Sequence, residues 1–216
     1  MSWARTFCQR LRSEMPPDCH MKRSRPCHPE AWTAPRTHGP TPSWESIRRA
    51  RGAAPEAVVS SLVHRNVLSR LLATRKGEPR SSAPKDIILK AHTDALEYER
   101  RLDAEPVTSR ILGPIAAAIE SNTLAREGIL AASPRGGFYA PETLVMAYGS
   151  FLLEDRFPES VFRAVELGGD SDSIGSIVAT MSAFLHGELK FPADYEKVFA
   201  RERLERISKR FASAAR

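Results

Sequence analysis

Leu167-Gly168-Gly169-Asp170-Ser171-Asp172-Ser173-Ile174-Gly175 lies between two stretches of helical periodicity, and its reading decides the fold. Paired glycines let a backbone reverse without a side-chain clash. Upstream, Phe157-Pro158 opens a short pattern in which Val161, Phe162 and Val165 turn inward. Downstream, Ile174, Ile177, Val178, Met181, Phe184 and Leu185 make the best-patterned apolar face of the chain. Gly187 then stands where a helix-ending, left-handed residue is usual. The junction is helix, Gly-Gly, helix, and it carries Asp170, Asp172 and Ser173 at a helix start.

Two readings of the acid pair fit this spacing. As caps, Asp and Ser accept hydrogen bonds from a helix's first free N–H groups, and carboxylates suit the positive end of the helix dipole. As ligands, three oxygen donors in four residues suit a hard cation such as Mg²⁺, which takes oxygen ligands and keeps waters. An EF-hand loop would need an oxygen ligand at Ile174, followed by a glycine and a later Glu; Ile174 breaks that pattern. The Asp-x-Asp turn of haloacid-dehalogenase-type phosphotransferases follows a buried strand, whereas Ser160 to Leu167 reads as helix.

Helical patterning continues to both sides. A helix is predicted from near Pro55, with Val58, Leu62, Leu68, Leu71 and Leu72 inward, ended by Gly77-Glu78-Pro79. After a polar linker, a second starts near Lys85 with Ile88, Ala91, Ala95 and Leu102 on one side. A third is predicted from about Thr108 to Ala132, with Pro114 at a kink or in its first turn. Ser133-Pro134-Arg135-Gly136-Gly137 is a loop, and Pro141 then suits a first helical turn before Leu144, Val145, Tyr148, Phe151 and Leu152. A basic amphipathic helix closes the chain, with Tyr195, Val198, Phe199, Ile207 and Phe211 on its apolar side. No strand pattern and no repeat is present, so the class is all-α.

Residues 1–55 differ in kind. Pro16, Pro17, Pro26, Pro29, Pro35, Pro40 and Pro42 interrupt them, and they read as a disordered tail ahead of a helical domain at 56–216. Trp3, Phe7 and Leu11 share a helix face near Arg5, Arg10 and Arg12, as in a transit peptide, but Glu14 and Asp18 oppose that reading. Cys8, Cys19 and Cys27 are an odd number, which argues against a disulfide framework. Cys19-His20 and Cys27-His28 lack the paired spacing of a zinc site.

The 216 residues are 42% hydrophobic with net charge +6, enough for one cored domain. No apolar run of about 18 residues exists, so no membrane span is predicted. The arginines are scattered rather than gathered in an aromatic-interleaved patch, which argues against a nucleic-acid partner. Reduced thiols and the lack of an apolar leader point to a cytoplasmic location.

Gly168 to Gly175 resembles the C-terminal metal signature of the ADP-ribosylglycohydrolase family, which usually reads Gly-Gly-Asp-Thr-Asp-Thr-Ile. Gly137-Phe138-Tyr139 with Glu142-Thr143-Leu144 is similar to the family's glycine-aromatic turn and following helix. Phe157 to Leu167, Ala183-Phe184-Leu185-His186-Gly187 and Phe191-Pro192 to Phe211 resemble its later helices, so the likeness covers about 136–211. The resemblance implies an orthogonal helical bundle, here partial. It also implies two Mg²⁺ ions and hydrolysis of the glycosidic bond between ADP-ribose and an acceptor. It implies Asp170 and Asp172 as catalytic metal ligands, Asp172 bridging the ions, with Ser173 as hydroxyl ligand. It further implies substrate contacts from Gly137, Phe138, Tyr139, Gly169 and Ser171.

The family's Thr-Asp-Asp turn and N-terminal Glu have no counterpart: Thr93-Asp94 is followed by Ala95 within a predicted helix. The expectation is an N-terminally truncated member with weak metal binding. Its partners would be an ADP-ribosylated protein or an ADP-ribose-like small molecule. A non-catalytic remnant that binds ADP-ribose or another protein is the alternative. Apolar surface left uncovered is expected to drive oligomerisation.

Overall fold

The computed structural model describes residues 54–76, 82–154, 156–187 and 201–214, which belong to one compact unit within 42–216. These residues form eight α-helices and no strand. They are α1 (Pro55–Arg75), α2 (Pro84–Leu102), α3 (Val107–Glu120), α4 (Arg126–Ala131), α5 (Ala140–Leu153), α6 (Glu159–Glu166), α7 (Ser171–His186) and α8 (Arg201–Ala214). The predicted tail falls outside the described residues apart from Ala54 and Pro55, as do Tyr195, Val198, Phe199 and the side chain of Phe211.

Helix α5 is the centre of the bundle and touches α1, α2, α3, α4, α6 and α7. It is accordingly buried all round, at Pro141, Glu142 and Leu144 through Phe151. A helix covered on every side is apolar on every side. Gly149 lets α4 in close: a Cβ there would lie 2.5 Å from Ile129 Cδ1.

Helix α1 also packs on more than one neighbour, namely α2, α3, α5 and α7. The predicted stripe of Val58, Leu62, Leu68, Leu71 and Leu72 is therefore only part of its buried surface. Val59, Val63 and Val67, spaced one turn apart, are fully buried as well. In α6 the fully buried positions are Ser160 and Ala164, while Val161, Phe162 and Val165 are half-buried. Small residues there allow the close approach of α7, and Ser160 Oγ lies 3.2 Å from Ser182 Oγ.

The helix predicted over Thr108 to Ala132 is two helices, α3 and α4. Pro114 sits inside α3 without ending it. What ends α3 is Asn122, at φ 57. Thr123 N–H donates to Ala118 O (2.8 Å), Asn122 N–H to Ile119 O (3.2 Å), and Ser121 Oγ to Ala117 O (2.8 Å). Those bonds satisfy the last carbonyls of α3, with Asn in the left-handed role more often taken by Gly.

A polar clamp joins α1 to α2. Arg70 donates twice to Asp94 (2.6 and 3.0 Å), and Asn66 Nδ2 donates to Asp94 (3.0 Å) and to the Tyr98 hydroxyl (2.6 Å). The hydrogen bond to Asp94 raises the Arg70 pKa. From α5, the fully buried Tyr148 presents its hydroxyl 3.4 Å from His64 Nδ1, with ring centroids 6.1 Å apart. Burial pushes the Tyr148 phenol far above its ordinary pKa and lowers that of His64.

Helix α8 is exposed along residues 201–210, and Leu204 and Ile207 are 53% and 41% accessible. No helix of the described residues is long and apolar enough to cross a membrane.

Candidate functional site

The Gly168-Gly169 turn leads into α7 through two left-handed residues, a conformation that favours glycine. Gly168 and Gly169 have φ of 78° and 67°. The turn is held by the 134–137 loop, whose own glycines sit at φ 64° (Gly136) and 82° (Gly137). The carbonyl of Gly136 accepts the Asp170 N–H at 2.8 Å. A Cβ on Gly169 would overlap that carbonyl, and one on Gly137 would lie 2.8 Å from Ile174 Cδ1. Two turns distant in sequence thus pack backbone against backbone, and glycine is required on both sides of the contact.

Asp170 precedes the first helical residue, Ser171, and Asp172 lies in the first turn of α7. Asp172 is exposed, whereas Asp170, Ser171 and Ser173 are half-buried. The Asp172 carboxyl is held below the usual carboxylate range. Hydrogen bonding with the Asp170 carboxyl is the largest cause, followed by the backbone N–H groups of Asp172 and Ser173. Both acid groups stand at the helix N-terminus, where N–H groups and the helix dipole favour negative charge.

Among the described residues, no group of three or more His, Cys, Asp or Glu is placed to hold a metal. The oxygen donors at the turn are the two carboxylates and the Ser173 hydroxyl. That set is chemically suited to one hard cation completed by water, and it supplies too few donors for two.

Two aromatic residues follow the Gly136-Gly137 turn in sequence. Phe138 is 74% exposed. Tyr139 is half-buried, and the Arg135 guanidinium lies over its ring at 4.4 Å. Burial raises the Tyr139 pKa, as does the Glu56 carboxylate at the start of α1, while Arg135 acts the other way. The structure thus gathers Gly137, Phe138, Tyr139, Gly169, Asp170, Ser171, Asp172 and Ser173 on two adjoining segments. Thr93-Asp94 is not among them, because Asp94 is engaged with Arg70 and Asn66.

The sequence reading missed what holds the loop. Glu142 is 3% exposed, and its Oε2 accepts the Arg135 N–H at 2.8 Å. Thr143 Oγ1 donates to Gly137 O at 2.6 Å. The available signal was that Glu142 is the sole charged residue of an otherwise apolar helix, Ala140–Leu153. An apolar hollow of about 300 Å³ between α3 and α4, lined by Pro114, Ile115, Ala118, Leu124 and Gly128, does not include the acidic turn.

The sequence profile of the family described as ADP-ribosylglycohydrolase matches residues 45–216, starting ahead of the boundary predicted at 56. No curated protein and no solved structure matches the chain.

Proposed function

The chain belongs to the ADP-ribosylglycohydrolase family, and on that premise we propose that it cleaves an ADP-ribosyl glycosidic bond with Mg²⁺ held at the acidic turn. The observation that carries this reading is the Asp170–Asp172 pair, set at the start of α7 by a backbone contact between two glycine turns. Asp170, Asp172 and Ser173 would hold the ion. When bound, Mg²⁺ supplies a Lewis acid that orients ribose hydroxyls and makes water more acidic.

The chain's own residues supply position and charge. Asp172 stays ionised at neutral pH, since its pKa is lowered rather than raised. The exposed Phe138 ring would offer an apolar face to a ribose or an adenine, with Tyr139 as the alternative aromatic wall. Arg135, stacked on Tyr139, places a positive charge near an anionic substrate. The substrate would be an ADP-ribosylated protein or an ADP-ribose-like small molecule. The odd cysteine count suits a cytoplasmic setting.

The test is release of ADP-ribose from a panel of N-linked and O-linked ADP-ribosylated substrates, with Mg²⁺ or with a chelator. Release is expected with Mg²⁺ and not with chelator, and it should be lost in Asp172→Ala. Binding of ADP-ribose without any release would replace this reading with that of a non-catalytic binding module.

A further inference from the structure

The acidic turn does not hold itself in place. Gly168 N–H ties the turn back to Val165 O of α6 (3.0 Å), and Asp170 N–H ties it across the bundle to Gly136 O (2.8 Å). Gly136 lies in a loop of successive turns, with Gly136 N–H bonded to Ser133 O (2.9 Å) and Phe138 N–H to Arg135 O (3.4 Å). That loop is gripped at both ends from the first turn of α5. Glu142 Oε2 takes the Arg135 N–H (2.8 Å), and Thr143 Oγ1 donates to Gly137 O (2.6 Å). Glu142 Oε1 also faces the Arg135 side chain at 3.9 Å. A carboxylate 3% exposed, in a helix that otherwise carries no charge, is costly to bury unless it is hydrogen-bonded.

We propose that Glu142 is a positioning residue for the acidic turn: with Thr143 it fixes the 135–137 loop so that Gly136 O meets Asp170 N–H and sets the two carboxylates at the start of α7. Glu142 touches neither Asp170 nor Asp172 in this scheme; it acts through the loop. Its effect on Mg²⁺ rests on the cation-site reading given above, whereas its effect on the Asp170 amide rests on the geometry alone. Groups that orient metal ligands in this way alter affinity by about 10- to 100-fold when removed.

The experiment uses the full chain, with Glu142→Ala, Glu142→Gln and Thr143→Val. Amide hydrogen exchange is read at Asp170 and, as a control for global opening, at Val67 in the α1 core. Mg²⁺ affinity is read by calorimetry. In Glu142→Ala the Asp170 amide should exchange about tenfold faster relative to Val67, the loss of about one charged hydrogen bond. Mg²⁺ affinity should fall by about 10- to 100-fold. Glu142→Gln keeps an acceptor oxygen for the Arg135 N–H and should restore both.

Unchanged exchange at Asp170 relative to Val67 overturns the proposal, as does Mg²⁺ affinity in Glu142→Ala equal to that of a binding wild type. Wild-type protein that binds no Mg²⁺ refutes the cation reading, and the exchange ratio then decides the clamp by itself. If Glu142→Ala does not fold, the same ratio in Thr143→Val decides: faster exchange at Asp170 supports the clamp, and no change refutes it.

Discussion

Gly168 and Gly169 are neighbours with similar positive φ, yet the structure asks different things of them. Around Gly168 a Cβ would meet nothing within 4 Å, while at Gly169 it would overlap Gly136 O. Gly168→Ala should cost only the left-handed penalty, about 1 kcal/mol. Gly169→Ala adds a backbone clash and should cost about 3 kcal/mol. Urea unfolding of the two variants measures the difference; equal losses would mean that the two turns do not meet. Asp170, Asp172 and Ser173 were legible in the sequence because they lie within four residues of one another beside a Gly-Gly pair. The partner turn was visible only as a Gly-rich loop. No local pattern could show that Gly136 O accepts from Asp170 N–H, because the contact spans the intervening helices.

The elements themselves were mostly legible. Helices α1 and α2 start at Pro55 and Pro84, and α5 one residue before Pro141; a one-sided apolar period survives in α2, whereas α1 and α5 are buried on more than one side. The break between α3 and α4 was missed because Asn122 does work usually signalled by Gly, and the apolar period runs on to Ile129. The α1–α2 clamp was missed because Asn66, Arg70, Asp94 and Tyr98 look like solvated positions until two helices meet. Asp94→Ala leaves Arg70 and Asn66 without their carboxylate and should destabilise by about 2 kcal/mol in chemical denaturation. Beside this clamp, desolvation by burial lowers the His64 pKa below the ordinary imidazole value. In the unfolded chain His64 takes up a proton as pH falls through about 6.5, while the folded form resists it. Its contribution to stability is therefore complete above that pH and is lost as pH falls toward the lowered folded value. Wild type should lose more stability between pH 7.5 and 5.5 than His64→Gln; equal losses would show that His64 is not desolvated.

At the scale of the molecule, α5 is enclosed by six helices, whereas α8 shows Leu204 and Ile207 to solvent. Apolar side chains exposed in a row are an association surface. The chain is expected to self-associate, and Leu204→Ser with Ile207→Ser should shift it toward monomer in light scattering at matched concentration. A wild type that is monodisperse and monomeric would contradict this. The all-α class and the likeness centred on the Gly-Gly-Asp turn were both readable from sequence, since each rests on local pattern. Which surfaces stay uncovered was not readable, because that depends on what packs against each helix. The proposed role of the acidic turn is that of a Mg²⁺ site serving an ADP-ribosyl ligand. Its most direct test is calorimetric titration of Mg²⁺ and ADP-ribose into the wild type and into Asp170→Ala/Asp172→Ala. Binding in the wild type that disappears in the double variant is the predicted result; no binding in either, or equal binding in both, would contradict it.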